Sequence, residues 1–128
     1  MLFSQTLFLD LLEQALNSPR LRVNFDLRNS SEDTSQRMLN ALQPDTKVPV
    51  HRHKGTSETV ILLKGKIKEI FYDENGKITD EFLLNQDCIG INIPKNQWHT
   101  IEVLEPSIII EMKDGSYKTL DNNDIMTF

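Results

Sequence analysis

Cysteine occurs once in this chain, at Cys88, and tryptophan once, at Trp98. A single thiol excludes an internal disulfide, agrees with a reducing compartment, and by the usual burial of cysteine is expected to lie inside the fold. No apolar run approaches the roughly 18 residues needed to cross a bilayer, so no membrane span is expected. An excess of positive charge is missing too: 14 Lys and Arg stand against 19 Asp and Glu, for a net charge of −5. Sequence-independent nucleic-acid binding needs the opposite balance. Residues 1–5 carry no basic group, and Asp10 and Glu13 follow closely. That is not a signal-peptide pattern, which makes a cytoplasmic location the expectation.

What remains is an ordinary globular composition, 38% hydrophobic and 26% charged over 128 residues. One core in one domain follows from that length, with residues 1–22 as an N-terminal helix and arm and 23–128 as the main body. Leu7, Leu11, Leu12, Ala15 and Leu16 recur at helical spacing behind Ser4, a favourable N-cap. A helix near 4–17 is therefore predicted, ended by Asn17-Ser18-Pro19 because proline cannot supply the next amide. Residues 22–27 alternate as a strand does. Residues 36–42 fit either periodicity, and strand is favoured because everything downstream is short, β-branched or aromatic, and set off by turns. Further strands are predicted at 58–64, stopped by Gly65, and at 66–72, 78–84, 88–93, 98–104 and 107–112. Asp73-Glu74-Asn75-Gly76-Lys77 is a hairpin turn. Many short strands with regular turns make a sandwich or a barrel, and closure removes exposed sheet edges.

Histidine is also scarce, and its placement is informative. The chain has three, His51, His53 and His99. On a strand, His51 and His53 would face the same side. Lys54-Gly55-Thr56-Ser57 is long enough to turn the chain and bring Glu58 beside them. His99 joins only if the sheet curls back, as a small barrel does. Three imidazoles and one carboxylate make a mixed nitrogen and oxygen donor set for a divalent transition metal; zinc, iron, manganese and nickel all accept it.

These residues resemble the two conserved motifs of the cupin superfamily. His51, His53, Glu58 and Gly65 stand at the spacing of the first motif, with Asp45 in place of its leading glycine; Pro94 and His99 match the second, where Cys88, Asn96 and Val103 replace two glycines and an asparagine. The departures touch turn positions and no metal ligand, and asparagine tolerates the left-handed conformation that such turns use. Ser18-Pro19-Arg20, the run from Gln36 to Pro44, and His51-Arg52-His53 are similar to the WbuC-type cupin-fold metalloproteins associated with bacterial surface-polysaccharide gene clusters. The resemblance covers most of the chain, to Glu111. It implies a mainly β fold, a single double-stranded β-helix or jelly-roll barrel with an N-terminal α-helix. It also implies a metal held by His51, His53, Glu58 and His99, a role around sugar or polysaccharide metabolism, and homodimerisation.

Arg37 and Asn40, just ahead of the metal-binding segment, and Trp98, beside His99, are the candidate contacts to a small-molecule ligand. Arg20, Arg22, Arg28 and Arg37 also offer guanidinium groups to an anionic one. Three readings stay open at this point: a metal-dependent isomerase, epimerase or hydrolase of a sugar or sugar nucleotide, an iron-dependent dioxygenase, and a metal-dependent binding module without turnover. No catalytic residue stands out, since all three histidines are already assigned to the metal.

Overall fold

The structure, a computed structural model, describes residues 1–128. Helix α1, Gln5–Leu16, starts as predicted, with the Ser4 hydroxyl accepting from the Leu7 amide at 3.2 Å. Phe8, Leu11, Leu12 and Ala15 form its buried face. Phe8 belongs to this face although it lies outside the leucine spacing, and Leu16, which that spacing includes, is exposed. Six strands follow: β1 Arg22–Asp26, β2 Ser35–Leu42, β3 Glu58–Tyr72, β4 Ile78–Leu84, β5 Gly90–Ile93 and β6 Trp98–Asp114. No helix is long and apolar enough to cross a membrane.

All pairings are antiparallel, in the order β1-β2-β6-β3-β4, with β5 on the free flank of the first half of β3. Two long strands organise the barrel. β6 pairs with β3 along its length, and its C-terminal half also carries β2, where Asn40 faces Ile109. The strands predicted to break at Gly65 and near Pro106 instead run through both points. Gly65 has φ +96°, and the β3–β6 register shifts on both sides of it, so Gly65 and Pro106 sit in facing irregularities. A bulge is where a proline without an amide hydrogen is tolerated within a sheet, and where the bulged strand bends.

Side-chain parity divides the core into two layers. Leu39 and Ala41 on β2 and Ile108 on β6 point outward and pack with Phe8, Leu11, Leu12 and Ala15 under α1. Leu42, Val60, Leu62, Ile67, Phe71, Leu84, Ile93, Val103 and Ile109 point inward and fill one end of the barrel. On β3 the inward set changes from even positions (Val60, Leu62) to odd ones (Ile67, Phe71) across Gly65, as one extra residue in a bulge requires. Polar residues take the same inward face at the other end, and the cavity opens there.

Cys88 lies on the exposed loop between β4 and β5, against the expectation of a buried thiol. Asp45 and Asn96, at two of the motif's glycine positions, both adopt left-handed backbone, with φ +73° and +67°. Asp and Asn reach that region at less cost than other side chains, so these substitutions preserve the turns.

Candidate metal centre

His51, His53 and His99 converge. One ligand nitrogen from each lies within 4.8 Å of the others. The local framework differs from the predicted strand, because residues 49–53 form no extended element. His51 makes an isolated antiparallel bridge, its amide donating to the His99 carbonyl at 3.0 Å and its carbonyl accepting from the His99 amide at 2.9 Å. On its other side it bridges to Ile125. The His53 carbonyl accepts from the Asn96 amide at 2.7 Å, which fixes the second imidazole against the turn that carries His99.

The outer nitrogens set the inner ones. Nδ1 of His51 lies 2.8 Å from the Pro49 carbonyl, and Nδ1 of His99 lies 2.8 Å from the Gln97 carbonyl. A carbonyl only accepts, so each Nδ1 carries the proton and each Nε2 turns a lone pair to the cavity, the arrangement that orients metal-bound histidines. Glu58, at the start of β3, closes the group: its Oε2 lies 3.1 Å from His53 Nε2 and 3.7 Å from Lys113 Nζ. Burial raises the Glu58 carboxyl pKa, but contact with His53 and the charge of Lys113 outweigh it and hold the group at about 2. Burial and the neighbouring His99 lower His51 to about 4, and burial lowers His99. Near neutral pH these groups are in the states a metal requires, a carboxylate and neutral imidazoles.

The donor set passes a test of fit. His53 Nε2, His99 Nε2 and Glu58 Oε2 are buried without a hydrogen-bond partner of good geometry. Buried polar atoms are rarely left so, and the 3.1 Å between two of them is close to the roughly 3 Å expected of ligands sharing an ion at bond lengths near 2.1 Å.

The cavity around these groups has a volume of about 1050 Å³, at the top of the roughly 300–1,000 Å³ range of small-molecule sites. Of the predicted contact residues, Asn40 lines it and Arg37 and Trp98 do not. Gln36, Met38, Asn40 and Leu42 share the inner face of β2; Arg37, of opposite parity, points outward, where its Nη2 donates to the Leu27 carbonyl at 3.1 Å. Trp98 stacks under Arg52, whose guanidinium carbon lies 4.5 Å from the ring centroid. Among the predicted arginines, Arg20 and Arg22 line the cavity, while Arg28 is paired with Asp26 at 2.7 Å.

Sequence reasoning missed two carboxyls in the same cavity, Glu69 and Glu111. Burial, then repulsion from Glu58 and Glu111, raises Glu69 well above the usual range; burial and Glu58 push Glu111 up to about 8. Strand parity was the signal: Glu69 alternates with Ile67 and Phe71, and Glu111 with Ile109, all inward-facing. Residues 115–121 then pass along the mouth of the cavity as a strap. Beyond it Asp124 pairs with Arg52 at 3.1 Å and Lys54 at 3.3 Å, and its carbonyl accepts from the Arg52 amide.

The family model described as "Domain of unknown function (DUF6016)" matches residues 3–84, which include His51, His53 and Glu58. The chain belongs to that family. No curated protein matches it significantly. Among solved structures, oxalate oxidase in complex with the substrate analogue glycolate superposes with a TM-score of 0.64 at 12% identity, covering 80% of this chain and 55% of that one. Capsular polysaccharide assembling protein CapF from Staphylococcus aureus gives 0.59 at 21% identity, covering 80% and 28%. A cupin-2 domain protein from Shewanella frigidimarina gives 0.57 at 18% identity, covering 72% and 79%. This DUF6016 chain thus spans about half of the oxalate oxidase chain and under a third of CapF, and its fold is a single cupin barrel with an N-terminal helix.

Proposed function

We propose that this protein is a metal-dependent cupin acting on a sugar or sugar nucleotide in surface-polysaccharide metabolism, with His51, His53, Glu58 and His99 holding one divalent transition-metal ion. The observation that carries the reading is the set of buried, unpartnered donor atoms on His53, His99 and Glu58, facing one another at the wall of a large polar cavity. The likeness of the sequence to WbuC-type cupins supports the saccharide assignment, and CapF, a capsular polysaccharide assembling protein, shares the fold. Arg20 and Arg22 on the cavity wall suit an anionic substituent such as a nucleotide phosphate.

A bound ion would supply Lewis acidity toward a carbonyl or hydroxyl oxygen. The chain's own contribution is orientation and protons. Pro49 and Gln97 fix the His51 and His99 imidazoles through their Nδ1 hydrogens, and contact with His53 and the charge of Lys113 keep the Glu58 carboxylate ionised. Glu111 puts a carboxyl that carries its proton near neutral pH within the same walls, and burial raises its neighbour Glu69 well above the usual carboxylate range. Acid and base work therefore needs no fourth histidine.

Titration of the chelator-treated protein with zinc, manganese, iron(II) and nickel is expected to give one ion per chain. His53→Ala and His99→Ala should each lower affinity at least a hundredfold. Loaded and stripped protein should then be compared on sugar nucleotides by product analysis, where metal-dependent conversion is expected. Wild-type affinity in both histidine variants would remove the metal assignment, and equal behaviour of the two forms on every substrate would remove the catalytic one.

A further inference from the structure

The cavity holds a second group of polar atoms that the histidine cluster does not use. Glu69 is 3% exposed and Asn40 6% exposed; Glu69 Oε2 and Asn40 Oδ1 are buried with no hydrogen-bond partner, and both residues line the cavity. Asn40 stands close enough to the Glu111 carboxyl to lower its pKa, and its own amide oxygen has no donor. Three strands place the group. Asn40 stands on β2 opposite Ile109 of β6, Glu111 follows two residues along the same inner face, and Glu69 stands on β3 opposite Ile101 of β6.

We propose that Glu69, Glu111 and Asn40 form a polyol subsite beside the histidine cluster, one that binds adjacent hydroxyl groups of a saccharide. This deepens the saccharide reading above and rests on it. Each hydroxyl donates once and accepts, and so does a protonated carboxyl, whereas an amide oxygen only accepts. Adjacent hydroxyls thus complement Asn40 Oδ1 together with the two carboxyls, giving Asn40 the donor it lacks. An anion is a poor match, because Glu58 is ionised nearby and the subsite has no cationic member. A second cation is also disfavoured, since it would sit near Lys113 and the ion held by the histidines. Water can fill such a group, but two bare oxygens, Asn40 Oδ1 and Glu69 Oε2, on the wall of so roomy a cavity leave space for a larger partner that carries several hydroxyls.

The test uses full-length, zinc-loaded protein and methyl pyranosides of glucose, galactose, mannose and N-acetylglucosamine at about 10 mM, a concentration suited to millimolar affinity. Saturation-transfer NMR is expected to show at least one pyranoside bound, with the Asn40 side-chain amide resonances shifted. Glu69→Leu should weaken that binding at least tenfold while leaving one zinc per chain. Asn40→Ala gives an independent check should the leucine variant fail to fold. The proposal is overturned if no pyranoside binds, if binding leaves the Asn40 amide unmoved and survives both substitutions, or if a second zinc ion binds and is lost in Glu69→Leu. Zinc uptake without saccharide binding sinks this subsite and spares the metal centre; saccharide binding without zinc uptake does the reverse.

Discussion

Two of the histidines, His51 and His99, are held by a backbone carbonyl at Nδ1, while His53 meets Glu58 at Nε2, and the carboxyls beside them divide by charge. Glu58 is held ionised by His53 and Lys113, whereas Glu69 and Glu111 are driven toward the neutral form by burial and by the charge of Glu58. This division has a pH signature. A folded chain that keeps a proton on Glu111 up to about pH 8 binds more protons than the unfolded chain, where glutamate titrates near 4.3. Its stabilising contribution is complete below that unfolded value and is lost as the pH rises through 8. The lowered pKa values of His51 and His99 work the other way, favouring the fold as pH rises, but that effect is finished above about 6.5, where unfolded histidine is already neutral. Metal-free protein is therefore expected to lose roughly 1–2 kcal/mol between pH 6.5 and 8 through Glu111. Glu111→Gln should flatten that part of the profile in denaturant unfolding, and parallel profiles would refute the assignment.

At the scale of elements, the bulge joining β3 and β6 decides which residues reach the cavity. Gly65 shifts the inward parity of β3, so that Glu58 and Glu69, eleven positions apart and of opposite parity, face one interior. A Cβ at this position would collide with the Ser107 hydroxyl and the Pro106 carbonyl, on a backbone of φ +96° that side chains rarely adopt. Gly65→Ala is expected to cost at least about 2 kcal/mol, combining backbone strain with steric displacement. Thermal unfolding measures it, and a loss within error would show that the bulge is not required. The elements also mark what the sequence made legible. Helix α1 followed from periodicity, the 73–77 turn from its Asn-Gly pair, and the strand character of 36–42 from the β context downstream of it. Continuous strands through Gly65 and Pro106 did not, because a breaker residue in a bulge looks the same in sequence as one in a loop. Spacing, together with the likeness to the two cupin motifs, singled out the three histidines and Glu58, and the structure gathers the three rings and sets Glu58 against His53. Arg37 and Asn40 were chosen together although they lie three apart on one strand, and such residues face opposite sides; applying that rule would have kept Asn40, dropped Arg37 and drawn attention to Glu69 and Glu111.

On the scale of the whole molecule, one end of the barrel is filled with aliphatic and aromatic side chains and the other is left for chemistry. Leu62, Ile67, Leu84 and Val103 belong to the packed cluster and stay off the cavity wall, while that wall gathers the histidines, the three glutamates and Lys113. The strap of residues 115–121 crosses that open end and is pinned by Asp124 to Arg52 and Lys54. Arg52 stands between two of the imidazoles and stacks on Trp98, next to the third. The far end of the chain and the metal-binding segment are thus mechanically one piece. A trypsin cut after the exposed Lys118 should register as a severalfold fall in zinc affinity with stoichiometry retained, and Asp124→Ala should reproduce the loss without any cut. Access to the interior and grip on the ion would then be governed by a single clasp, so whatever unfastens it to admit a ligand also loosens the metal.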